Sequence, residues 1–347
     1  MNSSGINTFI TENSWLSTDY GKEFQTYLLN NVNVKAIIDS DYKYFDGPDV
    51  NTVISIFTKK NSKTESVQFF HCHENLETHP CNTDKIDKNH SSIECNTFPS
   101  NSDILRKYKW GFIFSTDTQL ISLLEQMDKK QNSMLAQKIS IGQGLNITKD
   151  KILNNKGKDN IPYFVSDNGS MYCWNEPNNS FVSKNIASST RKTPLMILPR
   201  GLGTHFCCMN EIGGYSSSYV EIYENEKLTE NEKLQIWAFC NSSLLWLLRE
   251  YTGRCNLGGG MLKAEATDLK TIPICFDFAD VSEMNSIYQI AKTQKVSSKI
   301  EEAVYSDVHK RIDKIVFDFF GLPTEDNFVI DMLIQRFNWR GQKSKKK

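Results

Sequence analysis

The spacing of apolar positions changes several times along the chain, and each change predicts an element. Ile6 to Leu16 (INTFITENSWL) opens as a strand and closes in a polar turn. Tyr20 to Asn30 puts Phe24, Tyr27 and Leu28 on one side of a helix. Val32 to Ser40 and Val50 to Lys59 read as strands, with Asp46-Gly47-Pro48 as the turn between them. Residues 61–104 lose this periodicity. Tyr108, Trp110, Phe112 and Phe114 then alternate as in a strand, and Thr118 to Lys129 has helical spacing. Short strands follow at the end of Leu135 to Ile141, at Ile161 to Val165, Ser170 to Trp174, Leu195 to Pro199 and Tyr219 to Tyr223. Gln235 to Tyr251 reads as one helix, apolar on nearly every face and so placed inside a core. Thr229 and Glu232, three apart, have capping-box spacing at its start. A Gly-rich turn follows with Arg254, Gly258, Gly259, Gly260 and Lys263, and Asp268 to Ile272 closes the stretch. Residues 280–320 are helical up to Gly321-Leu322-Pro323, and a last helix covers Glu325 to Phe337.

The chain has 347 residues, enough for more than one domain. No stretch has the unbroken apolar length of a membrane span, and the N-terminus lacks a secretory pattern. These features predict a cytoplasmic protein without a membrane partner. The nine cysteines are spread over the sequence and read as reduced thiols. A net charge of −1 gives no global case for nucleic acid, so any such contact must come from local basic patches.

Three local features carry candidate chemistry. His71, Cys72, His73, His79, Cys81, His90 and Cys95 cluster in the polar segment, but no Cys-x-x-Cys occurs and the spacings match no standard zinc finger. A surface hairpin rich in these residues is the other reading, and no metal site is assigned. Gly142-Gln143-Gly144 forms a tight turn too short for a dinucleotide fingerprint. Lys184, Arg191, Lys192, Arg200 and His205 lie in a run from Ser183 to Asn210 without Asp or Glu, interleaved with Ser, Thr and Asn. That composition suits hydrogen bonds to phosphates and base edges, and equally suits a solvated loop. The tail from Arg336 is also basic and can be read as a backbone contact or as a solubilising end.

The strand–helix–strand–strand pattern of residues 5–60 resembles the end of the catalytic domain of restriction-modification N-6 adenine DNA methyltransferases. ISIGQGLNITKD, LMILPRGLGTHF, LKTIPI and IDKIVFDFFGLPTEDNFVI are similar to their specificity region. The resemblance implies an α/β fold class: the C-terminal part of a Rossmann-like methyltransferase sheet, then an α+β DNA target-recognition domain and a helical C-terminus. It divides the chain into residues 1–62 (catalytic part), 63–104 (variable linker or hairpin), 105–290 (target recognition) and 291–347 (helical segment with basic tail). It implies S-adenosylmethionine as methyl donor, double-stranded DNA and an N-terminal catalytic half or methyltransferase subunit as partners, with a restriction nuclease as a further one. Phe45, with Tyr44 beside it, stands where the family lines the pocket for the extruded adenine. A core position at a strand end is the other reading of Phe45. DNA contacts are expected from Gly142, Gln143, Gly144, Lys184, Arg191, Lys192, Arg200, His205, Arg254 and Lys263.

The family's Asn/Asp/Ser-Pro-Pro-aromatic tetrapeptide is absent, because the nine prolines include no adjacent pair. No catalytic residue is therefore assigned. On this reading the chain is inactive alone: a separately encoded subunit, a truncated product or a fragment. Two alternatives stand beside it, a non-enzymatic DNA specificity subunit and an inactive remnant. The first of these is expected to carry two recognition domains, and only one ISIGQG-to-LKTIPI pattern occurs.

Overall fold

The computed structural model describes residues 5–40, 51–60, 66–72, 93–114, 118–130, 137–177, 179–186, 191–254, 262–274, 277–278, 281–322 and 328–343. The described residues form two compact units, one drawn from Met1–Ile121 and the other almost entirely from Ser122–Gln342. Among the described residues no helix is long and apolar enough to cross a membrane.

The first unit contains β1 (Ile6–Glu12), α1 (Asp19–Asn31), β2 (Val32–Ser40), β3 (Thr52–Lys59), β4 (Ser66–Cys72), β5 (Ile93–Pro99), α2 (Asp103–Lys107) and α3 (Trp110–Ile113). Its sheet has the order β1-β3-β2-β4-β5, with β2 and β4 parallel and the other neighbours antiparallel. The segment read as linker or hairpin at 63–104 thus contributes two strands to this sheet. The alternating aromatics from Tyr108 do not make a strand. They sit on and around the short α3, and Tyr108, Trp110, Phe112 and Phe114 are all buried. Phe69 on β4 takes Trp110 and Phe114 edge-on at 5.6 and 5.3 Å, while Trp110 meets Trp15 at 5.9 Å. Asn96 of β5 donates to the carbonyls of Ile113 and Phe114, which fixes the end of α3 against the sheet. Packing against a sheet face decided this segment, because short runs of large apolar residues have no period of their own to enforce.

α4 (Thr118–Lys130) crosses the boundary between the units in sequence. The second unit contains β6 (Ile139–Gln143), β7 (Asn160–Phe164), β8 (Cys173–Trp174), β9 (Phe181–Ser183), β10 (Met196–Leu198), β11 (Gly201–Leu202), β12 (Cys208–Asn210), β13 (Tyr215–Ser216) and β14 (Val220–Glu224). It continues with α5 (Glu230–Cys240), α6 (Ser243–Thr252), β15 (Leu262–Lys263), α7 (Ala266–Leu269), α8 (Val281–Ala291), α9 (Ile300–Val304), α10 (Asp307–Phe320) and α11 (Phe328–Lys343). Three sheets result, in the orders β6-β14-β10-β12-β8, β11-β15 and β13-β7-β9.

The Thr229–Glu232 capping box forms as its spacing predicts, with the Glu232 amide donating to Thr229 Oγ1 and the Thr229 amide to Glu232. The apolar stretch beyond it is two helices, not one. Asn241 and Ser242 break it, and Ser242 caps α6 by accepting from the Leu245 amide. All of α6 from Ser243 to Tyr251 is buried. Its first turn is joined to α10 by polar bonds: the Ser243 amide donates to Asp313 Oδ1 (2.7 Å), and Ser243 Oγ bridges Asp313 Oδ2 (2.6 Å) and His309 Nε2 (2.9 Å). Trp246 packs between His205, stacked at 5.4 Å, and His309 at 4.3 Å.

Burial pushes the Asp313 carboxyl up to about 7 against the bonds from Ser243, and burial aided by His205 pushes His309 down to about 3. The trio is thus uncharged in mildly acidic solution. Asp313 holds more protons folded than unfolded, so its contribution is present at low pH and is lost as pH rises through about 7. Asp313→Asn reproduces the protonated carboxyl in shape and bonding. It is expected to cost less than about 1 kcal/mol near pH 5 and to gain on the parent as pH rises through 7. Asp313→Ala strands the Ser243 amide and is expected to cost about 1–3 kcal/mol. Urea denaturation at pH 5 and pH 8 measures both; equal loss for Asn and Ala at both pH values would show that the site needs a charge.

Candidate nucleic-acid interface

The residues expected to touch nucleic acid fall into two groups, and remote acids explain the division. Arg191 donates to the fully buried carboxylate of Glu221 (2.6 Å), to Tyr223 Oη (2.9 Å) and to the Gln143 carbonyl (2.9 Å). Glu221 also accepts from Ser216 Oγ at 2.7 Å and from the Tyr223 hydroxyl. Burial, with the bond to Glu221, raises the Tyr223 phenol well above its ordinary value. His205 is buried, bound through Nε2 to Glu250 (2.6 Å) and stacked on Trp246. These two side chains hold the fold. His205 is thereby closed to a ligand, a correction to the expectation from the basic run.

Gly142 and Gly144 also serve packing. A Cβ on Gly144 would lie 2.5 Å from Ser216 Oγ and 2.6 Å from its carbonyl, and one on Gly142 would lie 2.9 Å from the Tyr223 ring. Gln143 between them is exposed. Arg254 is half-buried, and its backbone pairs with Lys263 at 2.9 and 3.0 Å. Lys184 and Lys192 are exposed; Lys184 stands 3.9 Å from Asp159, and Lys192 donates to the Glu224 carbonyl at 3.3 Å. Beside Lys184 lies a cationic loop that the basic run did not include. Leu153 bridges Phe181, and the Lys184 amide donates to the Asp159 carbonyl, so the exposed Lys149, Lys151, Lys156 and Lys158 gather near β9. Their close spacing in KDKILNNKGK was the available signal.

A second feature is a cleft of about 280 Å³ lined by Gly169, Arg200, Gly201, Gly203, Thr204, Phe206, Ser217, Ser218 and Tyr219, among others. Arg200 is its one charged lining residue among the described residues. Glu265 grips that guanidinium from the side, accepting from Nε at 2.6 Å and Nη2 at 2.8 Å, and also takes Lys263 Nζ at 2.8 Å. Burial works against ionisation of Glu265, but the bonds from Arg200 and Lys263 outweigh it and hold the carboxyl below its usual value.

In the first unit, Asn13, Asp39 and His71 meet at strand ends, with Asn13 donating to Asp39 Oδ1 (3.4 Å) and His71 Nδ1 lying 3.5 Å from Asp39 Oδ2. Tyr44, Phe45, His73, His79, Cys81 and His90 lie outside the described residues. Among the described residues no three His, Cys, Asp or Glu side chains converge as metal ligands.

Residues 1–133 match the family model described as N-6 DNA Methylase. Over that stretch, which is less than half of the chain, the sequence is similar to N-6 DNA methylases. No curated protein sequence matches it. Among solved structures, the type IIL restriction-modification enzyme MmeI in complex with DNA is 12% identical with a TM-score of 0.51, over 99% of this chain and 50% of that one. The type IIG restriction endonuclease BpuSI is 11% identical with a TM-score of 0.48, over 98% of this chain and 48% of that one. The chain spans about half the length of these structures, and the MmeI likeness shows the fold alone.

The division of cations makes a direct prediction. Arg191→Ala leaves the Glu221 carboxylate buried and short of a cation, and is expected to cost about 3–5 kcal/mol of stability. Lys184→Ala and Lys192→Ala are expected to change stability by less than about 0.5 kcal/mol. Chemical denaturation of the three variants checks this; a silent Arg191→Ala would reassign that side chain to ligand binding.

Proposed function

We propose that this chain is the DNA-recognition part of a site-specific adenine DNA methyltransferase of a restriction-modification system. It acts when its sheet is completed by a catalytic half, carried on the same polypeptide or a separate one. The observation that carries this reading is the edge of the first sheet. Among the described residues β1 pairs only with β3, and Ile6, Phe9 and Ile10 stand 68, 55 and 57% exposed along it. A long apolar edge with open amide and carbonyl groups is a template for another strand. It belongs to the segment that the N-6 DNA Methylase model matches, which supports a methyltransferase half as the added sheet.

S-adenosylmethionine would supply the methyl group. The sequence has no Pro-Pro pair, so no step of transfer is assigned to its residues. Tyr44 and Phe45 remain the candidates for stacking an extruded adenine. The second unit holds duplex DNA: Gln143, Lys184, Lys192 and the Lys149–Lys158 loop meet phosphates, with Arg254, Lys263 and Arg200 toward the cleft. A nuclease would complete such a system.

Phosphate neutralisation releases counterions, so affinity for duplex DNA is expected to fall steeply with salt, by about tenfold or more between 50 and 200 mM. Lys184→Ala and Lys192→Ala are each expected to weaken binding to all sequences and to flatten the slope of log affinity against log salt by about one. Fluorescence anisotropy with a labelled duplex measures both. Binding that is indifferent to salt would remove the reading.

A further inference from the structure

We propose that Arg200 reads a guanine edge in the bound duplex and that Glu265 is its positioning residue, so the 280 Å³ cleft is a base-specificity site. This rests on the DNA-recognition reading above.

The geometry of the guanidinium carries the argument. Glu265 occupies the Nε/Nη2 edge with bonds of 2.6 and 2.8 Å. The remaining edge, Nη1 with the second Nη2 hydrogen, has no hydrogen-bond partner among the described residues. Those hydrogens are a fork of two parallel donors, the pattern that guanine O6 and N7 accept in the major groove. The backbone beneath is fixed: the Ala264 amide donates to the Arg200 carbonyl at 2.9 Å, Gly201 pairs with Lys263, and buried Arg249 bonds the Pro199 carbonyl. The side chain therefore leaves a rigid ribbon and is held from one side, which removes most of the rotamer freedom a free arginine loses on binding.

The lining also favours a base over a phosphate. A phosphate on the open edge would lie close to the Glu265 carboxylate and be repelled by it, whereas a guanine edge carries no net charge. Thr204, Ser217 and Ser218 offer hydroxyls, and Gly169 and Gly203 leave open space where a side chain would otherwise stand. Removing Arg200 leaves Glu265 with Lys263 as a partner at 2.8 Å, so the fold should tolerate the change.

The test is selection of bound duplexes from a randomised pool by the full chain, sequenced for the parent and for Arg200→Ala, Arg200→Lys and Glu265→Gln, with thermal melting of each. The parent is expected to enrich guanine at one position by roughly 5- to 150-fold over other bases. Arg200→Ala should lose that column alone and keep the others and the salt slope. Arg200→Lys should keep part of the preference and Glu265→Gln should weaken it. If Arg200→Ala melts early, Arg200→Lys and Glu265→Gln decide the matter by the same column. A parent that retains no duplex overturns the DNA-recognition reading and this proposal with it. A parent without sequence preference overturns only the proposal. So does an unchanged motif in variants that melt with the parent, or a loss spread equally over all sequences with a slope lower by one, which is a phosphate contact.

Discussion

The second unit depends on the grip that the buried helices α5 and α6 keep on the strand-linking segment from Pro199 to Cys207. Asn241, fully buried at the break between the helices, donates to the Cys207 carbonyl and accepts from its amide, both at 2.9 Å, and donates to its own helix at Trp237. One turn from the C-terminus of α6, Arg249 bonds the Pro199 carbonyl and Glu250 bonds His205. Burial brings the Arg249 guanidinium down to about 10, still charged at any physiological pH. Three polar side chains thus satisfy backbone and imidazole groups that would each cost energy if buried alone. Between the two ends of the grip lie Arg200, Gly201, Gly203 and Thr204, half-exposed or exposed and lining the cleft. The core arginine and glutamate are therefore the reason a polar segment can be both rigid and open.

Much of the first sheet was legible in the sequence. β1, α1, β2 and β3 have clear periods, the turn expected at Asp46-Gly47-Pro48 lies outside the described residues, and the capping box before α5 is a spacing rule with a local cause. The misses share a physical origin. The break at Asn241-Ser242 is invisible in a stretch apolar on every face, because periodicity cannot mark a boundary when both helices are buried all round. The strands β4 and β5 form an antiparallel pair in a segment read as linker or surface hairpin, and the burial of Val67, Phe69 and Phe98 in it is what the polar composition hid. The aromatics around Trp110 follow the sheet they pack against and not their own alternation. For the site, the Ser183–Asn210 run looked like a row of free cations because no acid lies within it. Glu221, Glu250 and Glu265 reach it from later strands and helices, and only the tertiary fold shows which cations they neutralise.

That neutralisation sorts the chemistry. An arginine clamped to a buried carboxylate, as Arg191 is to Glu221, contributes little field at the surface and much to the fold. A lysine on a loop, as at 149–158 or 184, contributes long-range attraction that salt screens and that no base sequence modulates. Arg200 lies between these cases: paired, yet with one edge open. A pair of that kind adds little to non-specific affinity, since its carboxylate offsets its charge. It gains only when a partner presents two acceptors in one plane, so its energy appears as discrimination between sequences. On the DNA-recognition reading proposed above, the lysine loop and the cleft are suited to different tasks within one unit, the first to capture a duplex of any sequence and the second to decide where on it the chain stays.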